Sequence, residues 1–549
     1  MTTTPTAGAL TPDASATRIS QIAKTARGDV PKAIKLASRA RADGIRSPLV
    51  HHLVALELQD AGRFEEAIAE LGLGLALAPH DPGLMTTVGY CLLELGRRQE
   101  AARVFETALK LDPRSVDATY GYACAAERLG ALESAESAFK RVLALDPNHA
   151  NALAGISGLA ARRRDWPTAR KYAEQASQLD GRQTDAPMNL ARIDIGEGDF
   201  ERARARLGEI LPRPDLKPLA RSSTHILLGD ALDGLGRYPA AFEAYAEGKA
   251  QLDNLYALEF GGVEQPRSPE VVGAMVAEFE ATPAEAWAMA SRSASGGPER
   301  GHAFLMGFPR SGTTLLEQVI ATHPDMIALG ERPVMIDAEA EFVTRAGGIA
   351  RLAGVMGEML EPYRQSYWRR VREFGVDPTG KVFVDKHPLG AMRIPLTYKM
   401  FPDAKIIFAL RDPRDVVLSC FRRSFNMNAN MYEFNTILGA AHLYAEVMAA
   451  GEVYLERLPV RALRVRHEDL VADFDSVAGD LCAFLEVDWT PALRDFAATQ
   501  RPIATPSGVQ VTKGLNSEGV GHWRNYAFAL EPAASILAPW IEKFGYPPN

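Results

Sequence analysis

Gly307-Phe308-Pro309-Arg310-Ser311-Gly312-Thr313-Thr314 is the stretch on which the fold of the C-terminal half turns. Before it, His302-Ala303-Phe304-Leu305-Met306-Gly307 is a short apolar run closed by glycine, the pattern of a buried strand. After it, Leu315 to Thr322 reads as a helix. Strand, tight loop and helix in that order bring free backbone N–H groups and the positive end of a helix dipole to one point, where they hold an anion. The loop keeps the Gly-x-x-x-x-Gly spacing of a nucleotide phosphate loop at Gly307 and Gly312, but Thr313 stands where a triphosphatase needs lysine. That substitution, with no credible magnesium-binding partner, argues against a kinase or a nucleotide hydrolase. Arg310 beside Ser311 supplies a planar, permanently charged fork instead, and Thr313 and Thr314 add hydroxyl donors.

About a hundred residues further on, Lys405 to Leu410 repeats the buried-strand pattern. It runs into Arg411-Asp412-Pro413-Arg414, where Pro413 suits the first turn of a helix. Arg411 therefore falls at the carboxyl end of a strand, the edge at which open α/β sheets bind ligands. Ser419 and Arg423 are four apart and so share a helical face. A second phosphate cradle, separate from the first, follows. The segment Val382-Phe383-Val384 is a further buried run, and it places Lys386 in Asp385-Lys386-His387-Pro388 at another strand end.

Together the two cradles resemble the sulfotransferase superfamily, in which the first loop holds a 5′-phosphosulfate and the Arg–Ser pair holds a 3′-phosphate. Residues 303–545 are similar to tyrosylprotein sulfotransferases and closer still to bacterial tetratricopeptide-repeat sulfotransferases. Asp385 to Pro388, Phe401-Pro402-Asp403-Ala404-Lys405, Ser507 to Val511 and Gly521-His522-Trp523-Arg524-Asn525-Tyr526 fit that pattern in order and spacing. The resemblance implies 3′-phosphoadenosine 5′-phosphosulfate (PAPS) as donor and its bisphosphate product PAP. It implies Glu331 as catalytic base, with Lys386 and Arg310 stabilising charge on the leaving side. By residues alone, Glu331 could equally be an arginine partner or a helix cap. His387 is the competing base of small-molecule enzymes and ranks behind Glu331; His323 before Pro324 reads as structural. Ser507 to Asn516 resembles the loop that closes over the nucleotide, bringing Ser507 and Gln510 to the donor, with His522 following. Here Lys513 stands in for the arginine that relatives often carry, and His467 replaces a more usual tyrosine.

Upstream, a period appears. Gly28, Gly62, Gly96, Gly130 and Gly198 lie on a grid of 34 residues, with Arg164 in the one slot lacking glycine. An alanine stands five residues after each mark: Ala33, Ala67, Ala101, Ala135, Ala169 and Ala203. Gly236 with Ala241 follows a short insertion. Glycine permits a left-handed turn between two helices, and alanine lets them approach closely. This resembles the tetratricopeptide repeat, about seven units stacked into a superhelix with a groove. The expected fold is multidomain: a disordered N-terminus over 1–15, an all-α repeat superhelix over 16–250, a helical linker over 251–300, and an α/β phosphate-loop domain with a central parallel sheet over 301–549.

A net charge of −8 argues against a general nucleic-acid binder. Four scattered cysteines, Cys91, Cys124, Cys420 and Cys482, give no metal spacing or disulfide framework. No metal site is expected. No run of about 18 apolar residues suggests a membrane span, and Met1 to Ser15 lacks the apolar core of a signal peptide, so the cytoplasm is the expected compartment. The repeats are expected to present a protein or peptide acceptor. A scaffold or dimerisation arm is the other use of such an array, which leaves a homo-oligomer open. Carbohydrate, lipid or small-metabolite acceptors form the alternative within the enzyme reading, and a repeat scaffold with an inactive domain the alternative outside it.

Overall fold

The computed structural model describes residues 12–180, 184–262, 266–288, 297–497, 517 and 519–548. The chain divides into two compact units between Glu197 and Gly198. In the first, consecutive helices pack as hairpins: Pro48–Asp60 with Phe64–Leu77, Pro82–Glu94 with Arg98–Leu111, Val116–Arg128 with Leu132–Leu145. Gly62, Gly96 and Gly130 hold the turns with φ of 73°, 72° and 78°. Arg164 adopts the same left-handed conformation, φ 60°, which a side chain bears only where its surroundings fix the turn. Gly28 departs from the grid. It lies outside the left-handed region, and its turn closes by Asp29 N–H donating to the Thr25 carbonyl at 2.8 Å. The paired alanines Ala33, Ala67, Ala101, Ala135 and Ala169 are fully buried. Between the helices, large rings fill the gaps left by glycine. A Cβ on Gly89 or Gly121 would come within 2.6 or 2.2 Å of the Phe105 ring.

The second unit opens with repeat-type helices, Phe200–Ile210 and then the hairpin α1 (Pro218–Gly234) and α2 (Tyr238–Phe260). The linker region yields helices Ser268–Glu280 and Ala284–Ala288. Five strands follow: β1 (Gly301–Gly307), β2 (Met326–Ala328), β3 (Val382–Lys386), β4 (Lys405–Leu410) and β5 (Arg461–Arg466). All pair in parallel, in the order β2-β3-β1-β4-β5. β1 is central, and successive strands are added first on its β3 side and then on its β4 side. The crevice above the carboxyl end of β1 is thus the switch point of an open α/β sheet.

Both faces are covered over β1, β3 and β4, which is why these strands are buried, largely apolar runs rather than alternating, whereas the edge strand β5 carries three arginines and is mostly exposed. Ala303 and Leu305 of β1 pack with Leu316, Val319 and Ile320 of α3 (Thr313–Thr322) and with Leu481. Phe304 and Met306 pack on the other side among Phe408, Tyr444 and Met448. The same core takes in Ile226 and Leu232 of α1 and Tyr245 and Leu252 of α2, so this hairpin shares its apolar surface with the sheet. Among the described residues no helix is long and apolar enough to cross a membrane, and the four cysteines are free.

Replacing Gly121 by Val would drive a branched side chain into the Phe105 ring. We expect a loss of about 2 kcal/mol or more in the stability of the first unit, read as a lower urea midpoint. Adding Phe105→Leu should recover part of that loss.

Candidate active site

The carboxyl ends of the five strands deliver the residues that matter. β1 leads into the loop ahead of α3. Gly307 has φ 153°, and a Cβ there would sit 2.6 Å from the Ala409 carbonyl oxygen. Gly312, φ 94°, is the residue preceding α3. No side chain caps that helix, so its first N–H groups face the loop. Arg310 also adopts a left-handed backbone, φ 73°, and its guanidinium is buried. Ser311, Thr313 and Thr314 line the loop and are buried with it. α4 (Pro413–Phe421) differs: Asp412 caps it by accepting from the Arg414 N–H at 3.0 Å. The start of α3 thus lacks the side-chain cap that closes α4.

β4 leads into Arg411, and α4 carries Ser419. Arg310 Nε donates to Ser419 Oγ at 2.9 Å, joining the first cradle to the second. Arg411 reaches the Arg310 carbonyl at 3.3 Å and the Gly519 carbonyl, yet its buried Nε finds no hydrogen-bond partner among the described residues. α4 ends at Phe421, so Arg423 lies beyond the helix rather than on its face. The chain continues as a last turn, with Arg423 N–H to the Cys420 carbonyl at 3.4 Å, and the side chain donates to Asp230 at 3.0 Å. Burial, followed by the charges of Arg423 and Arg411, pushes Arg310 down to about 9. Guanidiniums crowd like this where a multiply charged anion is meant to sit.

β3 ends at Lys386, and the turn after β2 carries Glu331. Lys386 Nζ lies 2.8 Å from Glu331 and 2.8 Å from Glu317 of α3. Burial alone would lower the lysine, but the two carboxylates outweigh it and raise it, so Lys386 stays charged. Its side chain is 1% exposed whereas that of Glu331 is 42% exposed, which leaves the glutamate accessible to an incoming molecule. Glu317 escaped sequence reading; the signal was there, as a lone carboxylate one turn past Thr313 in an otherwise apolar helix.

The remaining residues separate. His387 is pushed well below the usual histidine range by burial and by Arg393 and Lys386, and its Nδ1 has no hydrogen-bond partner among the described residues. His323 is held at both ring nitrogens, by the Asp488 carbonyl at 2.8 Å and the Asp325 N–H at 3.0 Å, as a structural histidine would be. His467, at the end of β5, packs on the loop; a Cβ on Gly312 would lie 2.9 Å from its Nδ1. Burial, then Arg411 and Arg310, push this ring down to about 3, so it is neutral. His522 does not face the loop residues through its Nε2, which bonds Asp233 of α1 at 2.9 Å. Ser507, Gln510 and Lys513 lie outside the described residues. Just after them, Asp415 accepts the N–H groups of Gly521 and Trp523 at 2.7 and 2.8 Å, anchoring that segment to α4. Among the described residues no group of three His, Cys, Asp or Glu is placed to hold a metal ion.

Residues 303–491 match the model of the sulfotransferase family, and residues 89–150 match that of the tetratricopeptide repeat. The chain thus combines tetratricopeptide repeats with a sulfotransferase domain. An uncharacterized protein of Aquifex aeolicus (strain VF5) is 26% identical over 259 residues, 46% of this chain and 34% of its own length. Protein-tyrosine sulfotransferase 1 of Danio rerio is 26% identical over 271 residues, 45% of this chain and 72% of its own. The protein-tyrosine sulfotransferase of Drosophila melanogaster is 25% identical over 260 residues, 45% of this chain and 51% of its own. The match therefore spans about a third of the Aquifex protein and half of the fly protein. A solved thermophilic TPR protein of Thermus thermophilus overlays with a TM-score of 0.30 at 19% identity, over 36% of this chain and 99% of that one.

One buried acid beside the site sets a pH dependence. Asp385 accepts from the Tyr367 hydroxyl at 3.0 Å. Burial, against the pull of Tyr367 and Arg393, pushes it up from 3.8 to about 7. The folded state therefore binds this proton more tightly than the unfolded one. Its contribution is present below pH 3.8 and is lost as pH rises towards about 7. Thermal unfolding of Asp385→Asn should accordingly fall off less between about pH 4 and 7 than that of the unchanged protein.

Proposed function

We propose that the C-terminal unit transfers a sulfuryl group from PAPS to a hydroxyl on a protein or peptide acceptor, with the repeats binding the polypeptide. One observation carries this reading. Buried Arg310 is bonded to Ser419, Arg423 lies close by, and Arg411 keeps an unpartnered buried Nε, so two linked cradles fit a nucleotide with phosphates at both ends. The uncapped N-terminus of α3 fits the 5′ end, and Arg411, Ser419 and Arg423 fit the 3′-phosphate. Similarity to enzymes named protein-tyrosine sulfotransferases supports a hydroxyl in a polypeptide as acceptor. The tetratricopeptide repeats imply protein–protein interaction, and they supply the means of holding it.

The residues divide the work as follows. Glu331, exposed beside Lys386, takes the proton from the acceptor hydroxyl as its oxygen forms the new bond to sulfur. The bond from sulfur to the oxygen bridging to phosphorus breaks, and its electron pair stays on the phosphate. Lys386 and Arg310 neutralise that developing charge, and they are held near it before the reaction begins. No side chain needs to form a covalent intermediate, since positioning in line and charge stabilisation meet the demand.

Calorimetry with adenosine 3′,5′-bisphosphate tests the donor site: the unchanged protein should bind it and Arg310→Ala should not. A folded protein that ignores this nucleotide would end the reading. With labelled donor and a panel of peptides, sugars, lipids and metabolites, turnover should concentrate on peptides. Glu331→Gln should keep donor affinity while turnover drops by about 10²–10⁴-fold.

A further inference from the structure

The dipeptide Arg422-Arg423 lies just past the end of α4, where it could swing freely. Its polar partners come from the repeat-type hairpin instead of the sheet. Lys249 Nζ of α2 donates to the Arg423 carbonyl at 2.7 Å. Arg423 donates to Asp230 of α1 at 3.0 Å, and Tyr245 of α2 donates its hydroxyl to the same carboxylate at 2.7 Å. Arg422 donates to Asp233 of α1 at 2.6 Å and to Tyr245 Oη at 3.2 Å. Asp233 also takes the His522 ring at 2.9 Å and the Tyr526 hydroxyl at 2.5 Å, so the 522–526 segment and the Arg422-Arg423 turn share this carboxylate.

Stacking of helical repeats does not ask for this. Where repeat helices bury an acid, as with Asp194 against Arg170 and Glu70 against Arg41, the partner belongs to a neighbouring repeat helix, whereas here it lies just past α4. Here Asp230 and Asp233 have side chains only 15% and 16% exposed, each opposite an arginine. Arg422 is 11% exposed and tied through Nε to Tyr245 and through Nη2 to Asp233, whereas Arg423 is 31% exposed and is tied through Nη1 to Asp230. One arginine is thereby a strut and the other a presented group. Burial opposes the charge on Asp233, but the His522 bond and Arg422 hold its carboxyl below the usual range, so the strut stays ionised at all working pH values.

We infer that the α1–α2 hairpin is part of the donor site, with Asp230 and Asp233 as positioning residues that hold the Arg422-Arg423 turn and aim Arg423 at the 3′-phosphate. The inference rests on the reading of the two cradles as a bisphosphate site. It gives the last repeat hairpin a role in the affinity for the donor itself, in addition to any role in holding a partner.

Two nucleotides separate positioning from mere stability. Adenosine 3′,5′-bisphosphate reports on both cradles, while adenosine 5′-phosphate lacks the group that Arg423 would meet. In the full chain, Asp230→Asn should weaken the bisphosphate about tenfold by calorimetry and leave the 5′-phosphate unchanged, as expected for one misaligned charge-assisted contact. Asp230→Glu should restore part of the difference. Tyr245→Phe keeps the ion pair but removes the bond that steadies Asp230, so it should shift the same ratio by about threefold, and it decides the matter should Asp230→Asn fail to fold. Equal weakening of both nucleotides, or an unchanged ratio in these variants, would overturn the inference. If the unchanged protein binds neither nucleotide, the donor reading itself falls.

Discussion

Arg310 sits almost fully out of water with other guanidiniums around it, and the rest of the second unit is arranged to make that tolerable. Burying a cation costs several kcal/mol unless partners replace its water. Ser419 takes its Nε at 2.9 Å. The acids stand one layer back. Asp415 holds the backbone at Gly521 and Trp523 and lies 3.9 Å from Arg411, and Asp230 and Asp233 hold Arg423 and Arg422. Cations thus face the crevice and anions back them, an order that leaves the crevice positive while the whole chain carries a charge of −8.

The phosphate loop was legible because everything that makes it is local. A glycine-bounded apolar run, a proline, an arginine and two threonines fall within one strand, turn and helix, and β1, the turn at Gly312 and α3 follow from them. Arg411 was legible for the same reason, at the end of a run that is β4. The strand ends then bring Arg310, Glu331, Lys386 and Arg411 to one edge of the sheet. The acids behind the arginines could not be read this way. Asp233 is 189 positions before Arg422 in a helix whose spacing reads as one more repeat, and nothing near it in sequence mentions a phosphate.

The repeats teach the same lesson from the other side. Their turns were readable because a positive φ is a property of one residue, and Arg164 shows how firmly the neighbours impose it. The division at Glu197 was not readable, since the marks continue past it at Gly198 and Ala203 and, after a short insertion, at Gly236 and Ala241. What assigns a helix to a unit is the core its apolar face shares. Tyr245 and Leu252 share theirs with Phe304 and Phe408. Periodicity reports that a helix has an apolar face and is silent about what covers it.

Lys386 shows how charge sharing could tie the base to the donor in the proposed reaction. It is held by two carboxylates, one buried on α3 and one exposed, at equal distances of 2.8 Å. A lysine that turned towards a leaving phosphate could keep Glu317 as its anchor and loosen its hold on Glu331. Glu331, the more exposed of the two acids, would then be released from its ion pair at the moment a phosphate occupies the crevice, and this needs only one ammonium group between two carboxylates.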